Sequence, residues 1–406
     1  MNKALDIVVF GATGFTGRLV AEYFVKLSDA GHQFTWAMAG RDASKLLAVH
    51  TQIKASSSVN LITADVNNSE QILSLVRQAK LVLTTVGPYQ LYGDTLVKAC
   101  AQAGTDYVDL CGEPTWMAKM IPQIEDMAKA SGARIVFSCG FDSIPFDLGV
   151  LFLQMTANSQ LGQTCSRVSG RVKTMKGTFS GGTIASVLAT VKSAIKDQGM
   201  LKLMKNPFAL TPGFEGPKQA SSHHLSYDET HQSWLAPFVM APINIKNIHR
   251  SNYLLNFAWG KDFQYDEMIM MGDGEAGKAR AKKAIQRDKI QNILLAIAPT
   301  RWILKTFVLP KPGEGPDLQA REHGSFEILY TGYTSDASIT ISVKGNKDPG
   351  YGSTSQMIGQ SALCLVEDIS LELVPGGVWT PASAMGISLI RRLEGSAGLS
   401  FSYTPE

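Results

Sequence analysis

Three glycines near the start of the chain have the spacing of a phosphate-binding turn. Gly11, Gly14 and Gly17 lie in the stretch IVVFGATGFTGRL. The apolar run at residues 7–10 is typical of a strand buried in a parallel sheet, and the apolar positions of residues 19–27 have helical spacing. On such a strand-to-helix turn, the first glycine permits the tight turn, the second lets backbone approach a ligand, and the third lets helix and strand pack closely. The helix start offers unpaired N–H groups to a pyrophosphate, so the sequence predicts a dinucleotide site.

The second predicted strand, residues 34–39, indicates which dinucleotide is bound. In NAD sites an acidic residue commonly follows this strand and binds the ribose 2′-hydroxyl. Here Gly40 stands at this place and Arg41 follows it, and a guanidinium can bind a 2′-phosphate through paired hydrogen bonds. Lys45 would add positive charge from the same helix face, and Asp65, after the third predicted strand, would face the adenine edge. We therefore predict NADP(H), the alternative being that Arg41 is a solvated side chain.

Three later loops carry side chains that can donate a proton in a reduction. Each loop follows a predicted strand: Tyr89 after residues 81–86, Glu113 after residues 106–110, and Asp142 after residues 134–138. Ligands bind at the carboxyl ends of strands in open α/β sheets, so we expect these loops around one crevice. Tyr89, Asp142 and Glu113, in that order, are the candidates for the general acid. Their structural alternatives are packing on a ribose, capping of a turn and binding of backbone N–H groups, respectively.

The sequence shows neither a metal site nor a hydrolase nucleophile. His231, His249 and His323 are isolated, without an H-x-x-x-H pair. The stretch GTFSGGT at residues 177–183 lacks the G-x-S-x-G pattern of a nucleophile elbow, and we expect it to open a helix at residues 184–196.

The elements that position these loops change in character near residue 165. Before it, strands and helices alternate, with one helix predicted at residues 69–78. After it, short alternating runs predict antiparallel strands at residues 167–174, 238–248 and 263–271 and a hairpin at 326–333 and 337–343. Residues 206–234 are predicted to form a long loop or lid, and a helix is expected from about 353 to 369. The predicted fold class is α/β, with a doubly wound parallel sheet followed by an α+β part with an antiparallel sheet.

Composition narrows the functional class. A chain of 406 residues suggests two domains, and 45% hydrophobic with 18% charged residues is typical of a soluble globular protein. The net charge of +3 is too small and dispersed to indicate nucleic-acid binding. Five widely spaced cysteines without a C-x-x-C pair predict reduced thiols and a cytoplasmic protein without a signal peptide. No apolar run reaches the length of a membrane-spanning helix.

Nine motifs together resemble the saccharopine dehydrogenase-like oxidoreductases, in particular their trans-acting enoyl reductase branch. In chain order they are GATGFTG, AGR, VGPY, DLCGE, SCGFDSIPFD, SGGTIAS, LPKPGEGP, DPGYGSTSQMIGQSALCL and GGVWTPASAMG. The resemblance runs from about residue 6 to 401. It implies a Rossmann-type domain, an inserted α+β domain and a C-terminal segment that returns to the first domain. With the pattern change, we place these parts at residues 1–150, 151–350 and 351–406.

The resemblance also implies NADP(H) and transfers roles by position. It assigns the pyrophosphate to Gly11, Thr13, Gly14, Phe15, Thr16 and Gly17. It places Val86, Gly87, Pro88 and Tyr89 beside the nicotinamide ribose.

The substrate is predicted to be small and apolar. Saccharopine-type chemistry would need several cations for carboxylates, but Arg167, Arg171 and Arg250 lie on predicted strands, where solvation is the default. Adaptable apolar side chains are concentrated in the inserted part: Met175, Met200, Met204, Met240, Met268, Met270 and Met271. We predict NADPH-dependent reduction of a C=C bond of an acyl or lipid-like substrate. The alternatives are a C=N reductase of saccharopine dehydrogenase type, a non-catalytic NADP-binding regulator and a peripheral lipid-handling protein.

Two features predict larger contacts. The apolar run at residues 328–330 breaks strict alternation in the predicted hairpin, which suggests a covered sheet face and hence a homodimer. Residues 290–311 combine apolar and basic side chains around Pro299. They would form either a peripheral membrane contact or an ordinary pair of packed helices.

Overall fold

The computed structural model describes residues 3–177, 186, 197–220, 224–296, 315–403 and 405. Its strands, in chain order, are β1 Leu5–Phe10, β2 Trp36–Gly40, β3 Asn60–Thr63, β4 Ala79–Thr84, β5 Asp106–Val108, β6 Arg134–Val136, β7 Arg167–Lys176, β8 Ser226–Asp228, β9 Ser233–Pro237, β10 Gln264–Met270, β11 Ser325–Tyr333, β12 Ser338–Gly345, β13 Gly377–Trp379 and β14 Leu399–Tyr403.

The α-helices frame these strands. They are α1 Phe15–Asp29, α2 Ala43–Gln52, α3 Ser69–Gln78, α4 Tyr89–Ala103, α5 Pro114–Ser131, α6 Ile144–Leu161, α7 Gln198–Lys205, α8 Ala241–Leu254, α9 Gly274–Ala296, α10 Leu318–Glu322, α11 Thr354–Glu367, α12 Pro381–Ala384 and α13 Gly386–Ser396. A π-turn at Pro349–Ser353 precedes α11.

The first sheet is a parallel, doubly wound sheet. Its strand order is β13-β6-β5-β4-β1-β2-β3, and every neighbouring pair is parallel. The apolar residues of β1 are buried because strands β2 and β4 flank β1 and helices cover the sheet. Strand order reverses between β1 and β4, which is where such sheets bind ligands. The predicted fold class is confirmed.

The second sheet has the order β14-β12-β11-β7-β10-β9-β8. The predicted hairpin is confirmed as β11 and β12. The neighbouring strands of this sheet pair antiparallel except β7 and β10, which are parallel, so the second sheet is mixed and the prediction that these two strands pair antiparallel is corrected. A long connection separates these two strands, which is what a parallel pair requires.

Two sequence-based assignments in this part are wrong. The alternating pattern predicts a strand at residues 238–248, but these residues lie mostly in helix α8. The helix carries buried polar side chains, which obscure an apolar helical stripe in the sequence. The composition of residues 206–234 predicts one long loop, but the segment contains β8 and the start of β9.

Helix α6 connects the two sheets. It starts at the carboxyl end of β6 and packs against the second sheet, where the Oη of Tyr330 donates a hydrogen bond to the carbonyl of Pro145 at 3.0 Å. A Cβ at Gly149 would lie 2.7 Å from the Tyr330 ring, so the close approach needs glycine. The C-terminal part of the chain adds β13 to the first sheet and β14 to the second.

The apolar run of β11 obeys the alternation of a sheet with one buried face. Ile328 and Tyr330 are fully buried, whereas Leu329 between them is partly exposed. On the Leu329 side, Glu327 is paired with Lys173 at 3.2 Å. The homodimer therefore stays a prediction without support from this run.

Candidate functional site

The glycine loop connects β1 to α1 and leaves the start of that helix open. Gly11 has a φ of +92°, and its carbonyl oxygen accepts a hydrogen bond from the Gly14 N–H at 2.9 Å. A Cβ at Gly17 would lie 2.1 Å from that same oxygen, so only glycine permits this packing. Gly14 is exposed, no described side chain caps α1, and its first turn carries no acidic residue. A pyrophosphate fits this turn because the helix start has a partial positive charge and N–H groups that no described side chain caps.

The residues that follow β2 lie beside the glycine loop. A Cβ at Gly40 would lie 3.6 Å from Thr13 Oγ1, and the next residue, Arg41, is exposed. Asp42 is engaged as the N-cap of α2, since its Oδ1 accepts a hydrogen bond from Lys45 N at 3.0 Å. Lys45 Nζ stands 3.9 Å from Asp42 Oδ2 and is well exposed. Two cationic side chains thus lie at the carboxyl end of β2 beside the glycine loop.

Asp65 follows β3 and builds its own turn. Its Oδ1 accepts hydrogen bonds from the backbone N and the Nδ2 of Asn67, both at 2.9 Å. The carboxylate therefore stabilises the turn that precedes α3. A contact with the adenine would have to use hydrogen-bond acceptor positions of Asp65 that Asn67 does not occupy.

The loop between β4 and α4 contacts the glycine loop. A Cβ at Gly11 would lie 2.7 Å from Val86 Cγ2. Gly87 is exposed, and Pro88 leads into α4. The backbone of this loop is thus accessible beside the pyrophosphate turn, where the nicotinamide half of a dinucleotide would extend.

The phenol of Tyr89 points into the protein. Tyr89 is 4% exposed, and its Oη donates to the carbonyl of Thr84 at 3.3 Å and accepts from Leu110 N at 3.0 Å. Burial raises its pKa well above the ordinary value. Since both hydrogen-bonding functions are used internally, Tyr89 ties the β4 loop to the β5 loop.

Glu113 joins three segments at the β4–α4 loop. Its Oε1 accepts hydrogen bonds from Tyr89 N at 2.8 Å and Ser186 Oγ at 2.7 Å, and its Oε2 accepts one from Gln90 N at 3.0 Å. The carboxylate is fully buried and occupies the start of α4. Sequence reasoning missed Ser186, although the motif SGGTIAS was the available signal. Its Oγ would lie 3.9 Å from a Cβ at Gly87, so it stands at the proposed site.

Asp142 differs from the other two candidates because its carboxylate has no hydrogen-bond or ion-pair partner in the described part of the chain. It is partly exposed in the β6–α6 loop, and burial by its surroundings raises its pKa from 3.8 to about 6. Its neighbours are anchored, since Phe141 N donates to Thr354 Oγ1 at 3.1 Å and Ser143 Oγ donates to Asn244 Oδ1 at 3.2 Å. The result is a carboxyl group on a well-held loop that binds a proton more tightly than an aspartate free in water.

The three loops contact one another in strand order. Leu110 N reaches the Tyr89 phenol, and a Cβ at Gly140 would lie 2.7 Å from Leu110 Cδ2. Cys139 N donates to the carbonyl of Asp109 at 2.7 Å. The β4, β5 and β6 loops therefore form a continuous surface at one edge of the first sheet.

A buried polar network ties the Asp142 loop to the second sheet. Asn247 Nδ2 donates to Ser143 Oγ at 3.0 Å, and Asn244 Nδ2 donates to Glu267 Oε1 at 2.9 Å. Tyr265 Oη donates to Glu267 Oε2 at 2.7 Å, and burial raises the pKa of Glu267 to about 7. No motif indicates this network because its members are far apart in the chain.

Two arginines of the second sheet are engaged by protein groups. Arg171 is 5% exposed, and its guanidinium contacts Asp228 and Asp266, each at 2.6 Å. Arg167 is half exposed and stacks on the Tyr333 ring with its Cζ 5.0 Å from the centroid. Neither is free to hold a substrate carboxylate.

Arg250 is likewise committed, and an apolar side chain lies at the site instead. The guanidinium donates to the carbonyls of Leu210 at 2.7 Å and Val378 at 2.6 Å. Met240 Cε would lie 3.7 Å from a Cβ at Gly112, in the loop that carries Glu113. Of the methionines noted in the sequence, Met240 is thus placed against the candidate site.

Some predicted features lie outside the described residues. They include most of residues 290–311 and the predicted helix at 184–196 apart from Ser186. In the described ranges, no cluster of three or more His, Cys, Asp or Glu side chains could hold a metal ion. No helix of that part is long and apolar enough to cross a bilayer.

Comparison with known proteins agrees with this geometry. Residues 7–136 match the family model of the saccharopine dehydrogenase NADP-binding domain. A Mycobacterium tuberculosis protein provisionally named a trans-acting enoyl reductase is 38% identical, over 99% of this chain and 98% of its own length. The trans-acting enoyl reductase of Mycobacterium bovis is 34% identical, over 97% of each chain.

A solved structure shares the fold. The L-Glu-forming saccharopine dehydrogenase of Saccharomyces cerevisiae superposes with a TM-score of 0.52, at 11% identity, over 99% of this chain and 100% of that one. At this identity the likeness concerns the arrangement of the sheets alone.

Proposed function

Because the chain belongs to the trans-acting enoyl reductase family of saccharopine dehydrogenase-like oxidoreductases, we propose that it uses NADPH to reduce the C=C bond of an apolar, acyl-type substrate. The observation that carries the chemistry is the unpaired carboxyl group of Asp142, whose pKa is raised, on the β6–α6 loop that adjoins the β5 loop at the same edge of the first sheet. Hydride transfer to an enoyl group needs a proton donor of this kind within reach.

The preference for NADPH over NADH rests on the end of β2. The exposed guanidinium of Arg41 and the ammonium of Lys45 stand where an acidic residue would bind a ribose 2′-hydroxyl. Asp42 is held as a helix cap, so it competes poorly for that role. Backbone N–H groups of the glycine loop would hold the pyrophosphate.

Asp142 becomes the preferred acid, ahead of Tyr89 and Glu113. The Tyr89 phenol is turned inward with donor and acceptor both used, and the Glu113 carboxylate accepts three hydrogen bonds. Donating from either group to a substrate would break contacts that shape the site. Asp142 can give up its proton without losing any hydrogen bond in the described structure.

Each part of the site then has a role. Bound NADPH supplies a hydride from its nicotinamide ring. The Gly87–Pro88 backbone would hold the nicotinamide side, and Glu113 fixes the start of α4 next to this loop. Asp142 holds a proton for the substrate carbon next to the hydride acceptor, and Met240 contributes an apolar wall that excludes water.

The C=N alternative is disfavoured by charge. An amino-acid imine of saccharopine type carries several carboxylates, which need unpaired cations nearby. Arg171 is paired with two aspartates, Arg250 is buried with two of its nitrogens bound to backbone carbonyls, and Arg167 stacks on a tyrosine of the second sheet. An apolar substrate requires no such cations.

Steady-state NADPH oxidation with a panel of acceptors tests this proposal. We expect turnover with 2-enoyl thioesters and none with α-keto acid plus amine mixtures. Turnover of the imine acceptors alone would overturn the C=C assignment. NADPH binding without turnover of any acceptor would favour a non-catalytic regulator.

A further inference from the structure

The side chain of Phe15, at the first position of α1, contacts residues that are far away in the sequence. Its ring contacts Tyr351 edge-to-face, with centroids 4.6 Å apart. A Cβ at Gly315 would lie 2.5 Å from the same ring. The Phe15 ring is therefore packed against segments that flank β11 and β12 of the second sheet.

Two guanidinium groups also lie against this ring. The Cζ of Arg18 is 5.3 Å from the ring centroid, and that of Arg321 is 5.9 Å from it. Arg18 belongs to α1, whereas Arg321 belongs to α10, about three hundred residues later in the chain. Two separate elements thus bring positive charge to the turn proposed for the pyrophosphate.

The backbone that carries Arg321 is held in place. Asp348 N donates a hydrogen bond to the Arg321 carbonyl at 2.9 Å. The Asp348 carboxylate in turn accepts hydrogen bonds from the N–H groups of Tyr351 and Gly352, which shape the π-turn. The guanidinium of Arg321 therefore extends from a fixed support that also carries Tyr351, the ring packed on Phe15.

The charges at this place are poorly compensated. Among the described residues, the only group that accepts a hydrogen bond from the Arg321 guanidinium is the Asp317 carbonyl, at 3.3 Å. Arg18 is 3.7 Å from Glu22, but its Nε is buried without a hydrogen-bond partner in the described part of the chain. The neighbouring start of α1 adds a partial positive charge. Glu22 offsets the charge of Arg18, whereas neither Arg321 nor the first turn of α1 is paired with a carboxylate of the described residues, so a bound anion would be stabilised beside them.

We propose that the Arg321 guanidinium binds the pyrophosphate of the dinucleotide that the glycine loop holds. Arg321 would reach the pyrophosphate from the side of the second sheet, with its guanidinium resting on the Phe15 ring. The inference rests on the proposed NADPH site and adds a residue to it. Binding of the dinucleotide then bridges α1 and the segment around α10. Arg18 adds charge to the same place.

Cofactor binding separates this role from that of Arg41. NADPH and NADH share the pyrophosphate, whereas only NADPH carries the 2′-phosphate. Arg321→Gln is therefore expected to raise the Kd of both dinucleotides by the same factor, about tenfold for loss of one charge-assisted contact. Arg321→Lys keeps the charge without the fork and should recover part of the affinity.

The experiment is a fluorescence titration of NADPH and NADH against wild-type protein, Arg321→Gln, Arg321→Lys and the control Arg391→Gln. Arg391 is an exposed arginine of α13 without described contacts. The control should leave both Kd values unchanged, and thermal unfolding without ligand checks that each variant is folded.

Three outcomes overturn the inference. Unchanged Kd values for Arg321→Gln would show that the guanidinium only packs on Phe15. A loss confined to NADPH would move Arg321 to the 2′-phosphate. Failure of the wild-type protein to bind either dinucleotide would overturn the cofactor site, and the inference with it.

Discussion

Replacing Asp142 by asparagine should stabilise the protein at neutral pH while removing its catalytic proton. Asparagine has the same shape and no charge, and Asp142 makes no hydrogen bond that the change would break in the described structure. The change therefore removes only the cost of an ionised carboxylate in poorly solvating surroundings.

The magnitude follows from the two pKa values of Asp142. Its pKa is about 6 in the folded protein, against 3.8 for an aspartate free in water, and each unit corresponds to about 1.4 kcal/mol. Above pH 7 the ionised carboxylate therefore lowers the free energy of unfolding of the wild-type protein by at most about 3 kcal/mol. Because the group is partly solvated, we expect a value of about 1–3 kcal/mol.

The sign of the pH dependence is fixed by the raised pKa. The folded protein holds the proton more tightly than the unfolded chain, so the wild-type protein loses stability as pH rises from about 4 through 6. The advantage of Asp142→Asn should be largest at pH 7.5 and should shrink to about 1 kcal/mol or less at pH 4.5.

Urea denaturation at pH 4.5, 6.0 and 7.5 measures this difference. Asp126→Asn, at an exposed position of α5, is the control and should show no pH-dependent gain. The same Asp142 variant should reduce enoyl substrate about 10²–10⁴-fold more slowly, as expected for loss of a general acid. A variant that is destabilised at pH 7.5 would refute the unpaired environment, and full activity would refute the acid.

Three further outcomes are expected. Arg41→Ala should cost about 1.5–3 kcal/mol of NADPH binding and leave NADH affinity nearly unchanged in a titration; equal weakening of both would contradict the 2′-phosphate assignment. Gly14→Val should abolish dinucleotide binding in a protein with an unchanged circular dichroism spectrum, because a branched side chain would occupy the place of the pyrophosphate; retained binding would put the dinucleotide elsewhere. Light scattering at micromolar concentration should give the mass of a homodimer, and a monomer mass would end that prediction.

The strands of the first sheet could be predicted from the sequence because they depend on residues that are close together in the chain. Short β-branched runs that end in glycine mark buried strands, and the spacing of Gly11, Gly14 and Gly17 fixes the type of turn. Helix α3 has in the structure the bounds that the sequence predicts, because its apolar residues keep helical spacing and Asn68 caps its start. These features depend on neighbours in the chain.

Features that depend on contacts between residues far apart in the chain could not be predicted from the sequence. Helix α8 has seven buried polar side chains, Asn244, Lys246, Asn247, His249, Arg250, Ser251 and Asn252. Its sequence lacks an apolar stripe because groups from α6, β10 and other segments satisfy most of those side chains. The sequence also could not rank Tyr89, Asp142 and Glu113 as proton donors. Tyr89 Oη and the Glu113 carboxylate are hydrogen-bonded to other parts of the chain, whereas the Asp142 carboxylate has no such partner in the described ranges.

The central claim is that the protein transfers a hydride from NADPH to an enoyl carbon and that Asp142 supplies the second hydrogen. Mass spectrometry of the product from NADPH deuterated at nicotinamide C4 and a 2-enoyl thioester tests it directly. We predict one deuterium at the β-carbon and one solvent hydrogen at the α-carbon, with a rate that falls as pH rises through about 6. Product without deuterium, or a rate in Asp142→Asn equal to wild type with an unchanged pH profile, would contradict it.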